Sequence, residues 1–89
     1  MTPEGIPRFA PGHRLREDKA RGRWVVMGPE RMFVPDEIAL AVLQEVDGSR
    51  SLTAIIDALA ARFAAPRAEI ATDVTALLVD LAARGVIRA

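Results

Sequence analysis

Eighty-nine residues with no cysteine leave room for one domain and for no disulfide, iron–sulfur cluster, thiolate zinc site or cysteine nucleophile. A chain this short hides only about 60–65% of its unfolded surface on folding, which leaves little for an enclosed catalytic cavity. Net charge is zero at pH 7, yet residues 1 to 34 carry seven Arg/Lys against four Asp/Glu and residues 35 to 89 five against eight, so a basic first part precedes an acidic second part.

Residues 1 to 12 contain Pro3, Pro7, Pro11 and Gly12 with few apolar residues between them, and read as a flexible N-terminal tail with Phe9 pinning its end. Residues 13 to 89 read as a single domain. The stretch His13 to Asp18 alternates around Leu15, and Lys19-Ala20-Arg21-Gly22 is a turn. Next, Arg23-Trp24-Val25-Val26-Met27 is a β-branched and aromatic strand closed by the turn Gly28-Pro29-Glu30-Arg31. The following arm, Arg31 to Val34, stops at Pro35, which has no N–H with which to continue a ladder. Trp24 is assigned to the core, because few other aromatics are available to fill the space between sheet and helices.

Three helices follow. Asp36 caps the first, whose apolar positions Ile38, Ala39, Val42, Leu43 and Val46 recur at helical spacing until Asp47-Gly48. Ser51 caps the second, with Leu52, Ile55, Ile56, Leu59 and Phe63 on its buried face, and Pro66 suits the first turn of the third. The third buries Ile70, Val74, Leu77, Leu78 and Leu81 and ends at Gly85, after which Val86 folds back on Leu81. The fold class is therefore α+β: a three-stranded antiparallel sheet followed by a three-helix bundle, the order of a winged helix with its wing strands first.

Catalytic chemistry is hard to build from these residues. His13 is the single imidazole and has no acidic or nucleophilic partner at a recognisable spacing. The carboxylates fall in helix first turns or on solvated faces, and no G-x-S-x-G, phosphate-binding glycine loop or H-E-x-x-H is present. A non-enzymatic protein without metal or cofactor is expected. The first residues, Met1 to Arg8, lack a cationic start and an apolar run, and no stretch approaches the ~18 apolar residues of a membrane span, so a cytoplasmic location away from membranes is expected.

Two binding functions remain. A winged-helix nucleic-acid binder is the alternative, but the third helix sets Glu69, Asp73 and Asp80 against Arg67 and Arg84, and phosphates would repel that surface. Strand addition by an extended peptide fits better. If Arg31 to Val34 is a sheet edge, Met32, Phe33 and Val34 form an apolar row without the charges that discourage pairing. Asp73, Leu77, Asp80 and Arg84 share one face of the third helix beside its buried row. From spacing alone, packing of Met32 and Phe33 under the helices is an equal reading. An exposed edge also permits a weak homodimer as readily as a monomer.

Several segments together resemble the PqqD family of pyrroloquinoline quinone (PQQ) biosynthesis: Leu15-Arg16-Glu17-Asp18, Ala20 to Val26, Gly28-Pro29-Glu30-Arg31-Met32, Asp47 to Leu52, Ile70 to Val74 and Leu81 to Val86. The likeness runs from about residue 8 to residue 89, and the Pro-Glu-Arg turn after the Trp strand favours PqqD over related peptide-recognition domains. The resemblance implies a peptide chaperone that binds the ribosomal precursor peptide PqqA and delivers it to the radical SAM enzyme PqqE, which cross-links a Glu and a Tyr of that peptide. It implies that the chaperone supplies no catalytic residue, and that the peptide lies as an added strand along Arg31, Met32, Phe33 and Val34, opposite Asp73, Leu77, Asp80 and Arg84.

Overall fold

Two turns set the geometry of the sheet. In the computed structural model, which describes residues 1–89, Asp18 Oδ1 accepts from the Arg21 N–H at 3.3 Å and Gly22 takes φ +64°, a combination that reverses the chain between β2 (Arg14–Asp18) and β3 (Arg23–Met27). The second turn is closed by Gly28 N–H donating to the Arg31 carbonyl at 2.8 Å, and leads to β4 (Met32–Phe33). A Cβ on Gly28 would come within 2.9 Å of the His13 ring and 3.0 Å of Arg31 O, so only glycine fits this close approach. The strand order is β2-β3-β4, all antiparallel.

Register places Leu15 opposite Val26 and Val26 opposite Phe33. This cross-strand row is the face that meets the helices, since Val26 is 1% exposed and Leu15 and Phe33 pack against the same core. Trp24 is not part of it. Two residues along β3 toward the β2–β3 turn, opposite Glu17, it is half-buried and lies outside the core cluster, which the aliphatic helical side chains already fill.

The helices are α1 (Glu37–Gln44), α2 (Leu52–Phe63) and α3 (Arg67–Ala83). Asp36 and Ser51 cap the first two as expected, accepting from Ala39 N–H at 2.8 Å and Ala54 N–H at 3.1 Å. Between them Asp47 Oδ1 accepts from the Ser49 and Arg50 amides and the Ser49 hydroxyl, and Arg50 pairs with Glu45 and Asp47. At the far end of α3, Gly85 takes φ +78°. Its N–H donates to Ala82 O while Val86 N–H reaches Leu81 O, both at 3.0 Å. Leu43, Ile55, Leu59 and Leu78, each at most 1% exposed, form the centre of the core.

Residues 1 to 12 differ from the expected loose tail. Arg8–Phe9 forms β1, which pairs with β5 (Ile87–Arg88) near the other end of the chain. Pro7 is fully buried. The carbonyls of Gly5 and Pro3 accept from the Leu52 and Thr53 amides at 2.8 and 3.1 Å, satisfying first-turn donors of α2 that have no partner within the helix. The prolines prevent periodic structure, yet the carbonyls of this segment remain free to accept.

Candidate functional site

β4 is the last strand of its sheet, and no strand pairs with its outer side. Its backbone polarity follows from the turn. Because Gly28 donates to Arg31 O, the next hydrogen-bonded pair is Val26–Phe33, and the polar groups of Met32 and Val34 point outward. The side chains alternate in the opposite sense of use: Phe33 is half-buried against the core, whereas Met32 and Val34 are each 49% exposed. The two sequence readings of this segment thus divide by residue, with Phe33 serving the core and its neighbours facing solvent.

The start of this edge lies beside the C-terminal end of α3. Arg31 Nη2 donates to the Arg84 carbonyl at 3.0 Å, which ties the start of β4 to the C-terminal end of the helix and occupies one of its free carbonyls. Arg84 Nε in turn pairs with Asp80 Oδ2 at 3.2 Å, one turn earlier. Leu77 is half-buried and packs on the core, between the exposed Asp73 and Asp80. Of the eight residues expected at the site, Phe33 and Leu77 are therefore partly core, and Arg31, Met32, Val34, Asp73, Asp80 and Arg84 are exposed. Arg31, Arg84, Glu30 and His13 surround one end of the edge, where opposite charges are mixed.

At the other end the sequence missed a feature. An apolar cavity of about 210 Å³ opens between α1, α2 and α3, lined by Ile38, Val42, Leu59, Phe63 and Ile70, with Asp73 among its lining residues. Helical spacing assigned Ile38 and Phe63 to buried faces, but they are 71% and 52% exposed. Each sits at a helix end, where neighbouring helices do not close over it. Phe63 is the last residue of α2, before Ala64 turns left-handed at φ +49°, and Arg62 stacks over its ring at 5.2 Å. No group of three or more His, Asp or Glu side chains is placed to hold a metal ion. No helix is long and apolar enough to cross a membrane.

A small sheet with an open edge, backed by a three-helix core and flanked by an exposed helix face, defines a recognition module of winged-helix type. Residues 23–87 match the family model for Coenzyme PQQ synthesis protein D (PqqD), and the chain belongs to that family. It is 55% identical over 80 residues to a PqqA binding protein of Rhodopseudomonas palustris strain TIE-1, covering 90% of this chain and 76% of that one. It is 44% identical over 88 residues to a PqqA binding protein of Xanthomonas oryzae pv. oryzae strain PXO99A, covering 99% and 96%. Among solved structures it is similar to the PqqD truncation of Methylobacterium extorquens PqqCD, described as a functional and stand-alone RiPP recognition element. That match has a TM-score of 0.80 and 35% identity, over 99% of this chain and 94% of that one. It also resembles PqqD from Xanthomonas campestris, with a TM-score of 0.63 and 40% identity over 100% and 99%.

Proposed function

We propose that this chain binds the precursor peptide PqqA as a strand added to the outer edge of β4, alongside α3, and presents it to the radical SAM enzyme PqqE. The observation that carries the reading is the pair of outward-facing backbone positions at Met32 and Val34, on an edge with exposed apolar side chains and no blocking charge. Relatives named as PqqA binding proteins and a neighbour described as a RiPP recognition element support the choice of peptide. Binding requires no catalytic group here, and the chain acts on the reaction by holding the substrate. The exposed Glu69, Asp73 and Asp80 on α3 argue against a phosphate backbone as the ligand.

Titration of ¹⁵N-labelled protein with PqqA tests the reading. The amides of residues 31 to 34 and of Asp73, Leu77, Asp80 and Arg84 shift on saturation if the site is correct. Shifts confined to the β2–β3 turn or to the N-terminal segment would refute it. Addition of PqqE to the complex is expected to broaden the resonances of bound peptide and chaperone together, and dissociation of the peptide before PqqE engages would contradict the presentation step.

A further inference from the structure

The cavity between the three helices lies at the end of the proposed groove. Only Pro35, Asp36 and Glu37 separate Val34 from Ile38 on its lip, and Asp73 shares a face of α3 with Arg84, which meets Arg31, while also lining the cavity. The lining is apolar apart from Asp73. Its volume of about 210 Å³ exceeds the ~150 Å³ of an apolar cavity known to hold benzene. Ile38 and Phe63, exposed at its mouth, extend this lining into a contiguous apolar surface of the kind that marks interaction sites.

The surroundings select that partner's chemistry. The exposed Asp73 lines the cavity, and the exposed Glu69 and Glu37 line neighbouring depressions that share Asp73, and Ala41 and Phe63, with it. Of the cations nearby, Arg67 is held by Asp57 through a 2.6 Å contact and Arg62 lies over the Phe63 ring. The local excess is negative. From Arg84 to Ile70 the helix advances about 21 Å at ~1.5 Å per residue, which an extended peptide covers in about six residues at ~3.3 Å each.

We infer that the cavity receives one aliphatic or aromatic side chain of the same bound peptide, about six residues from the end held near Arg31 and Arg84, and that a lysine or arginine next to that side chain meets Asp73. The inference rests on strand addition at β4, and adds to it a second contact point that fixes the register of the peptide. A strand held only by backbone hydrogen bonds can slip by two residues without exchanging faces. An apolar side chain seated in a fitted cavity prevents the slip.

The test uses the full chain, ¹³C-labelled at Ile, Leu and Val methyls, with PqqA as the probe. Intermolecular NOEs are expected from a PqqA side chain to the Ile38 and Ile70 methyls, together with amide shifts at residues 31 to 34. Ile38→Glu is expected to weaken PqqA binding about tenfold, and Asp73→Lys roughly two- to fivefold, with unchanged circular dichroism in both because the sites are exposed. If residues 31 to 34 shift without cavity NOEs and both variants bind normally, the inference falls and the strand reading stands. If neither region responds to PqqA, both fall. Cavity contacts that grow with protein concentration in the absence of PqqA would assign the cavity to a second copy of the chain and overturn the inference.

Discussion

The α1–α2 corner and the β4 edge lie on the same small frame but are finished differently. At the corner the polar groups are used locally: Asp47 accepts three hydrogen bonds, Ser51 caps α2, and Gly5 and Pro3 supply carbonyls to the remaining first-turn amides. At the edge, β4 is two residues long, its outer backbone groups meet no strand, and the side chains of Met32 and of the adjoining Val34 face water. The contrast shows a division of labour. Stability is concentrated where backbone groups are satisfied and aliphatic side chains are sealed, and the edge proposed for recognition is where they are not.

Leu78 is fully buried between the helices, and Leu78→Ala is expected to lower stability by about 2–5 kcal/mol in denaturant unfolding, while the fraction that remains folded binds PqqA as before. Loss of PqqA affinity in the folded fraction would show that core and site are not separable. The reverse experiment acts on the edge. Val34→Asp is expected to change stability by no more than about 0.5 kcal/mol and to weaken PqqA binding roughly tenfold by calorimetry, since it puts charge and desolvation cost where the added strand would lie. Phe33 is a poor choice for this purpose, because its half-buried ring packs on the core and Phe33→Asp would disturb both functions at once.

Smaller effects are expected at the α1–α2 corner. Ser51→Ala removes the cap on Ala54 N–H and is expected to cost about 1 kcal/mol without changing PqqA affinity. Asp47 is held below the usual carboxylate range, chiefly by the Ser49 backbone N–H, then by the Arg50 backbone N–H and the Ser49 hydroxyl. A carboxyl depressed in the folded state binds its proton more readily when unfolded. Its contribution is therefore present above the unfolded Asp value near 3.9 and is lost as pH falls through the lower folded value. Thermal melts between neutral pH and pH 3 should show a decline that is shallower in Asp47→Asn, and identical pH profiles would dissociate this network from acid stability.

Much of this was legible because it is local. The caps at Asp36 and Ser51, the left-handed Gly85 and the turn at Gly28 are each specified within a few residues of sequence, so the helices and the β2–β3–β4 meander could be placed from spacing and punctuation. What was hidden depends on distant partners. The β1–β5 ribbon joins two-residue strands from opposite ends of the chain, too short to show alternation, and nothing local in the N-terminal segment signals that the Pro3 and Gly5 carbonyls serve α2. Helical periodicity assigned Ile38 and Phe63 to the buried side correctly as directions on each helix, but could not reveal that the three helices stop short of closing over them. Trp24 differs from its expected core place for the same reason, since it shares the inner face of β3 with Val26 but lies beyond the row the helices cover.

If the peptide pairs with the free edge of β4, amide hydrogen exchange at three consecutive residues will report it. With PqqA at saturation, the Met32 and Val34 amides should gain protection while that of Phe33, already paired with β3, changes little. Equal protection at all three, or none at Met32 and Val34 in a complex shown to be saturated, would contradict strand addition at this edge.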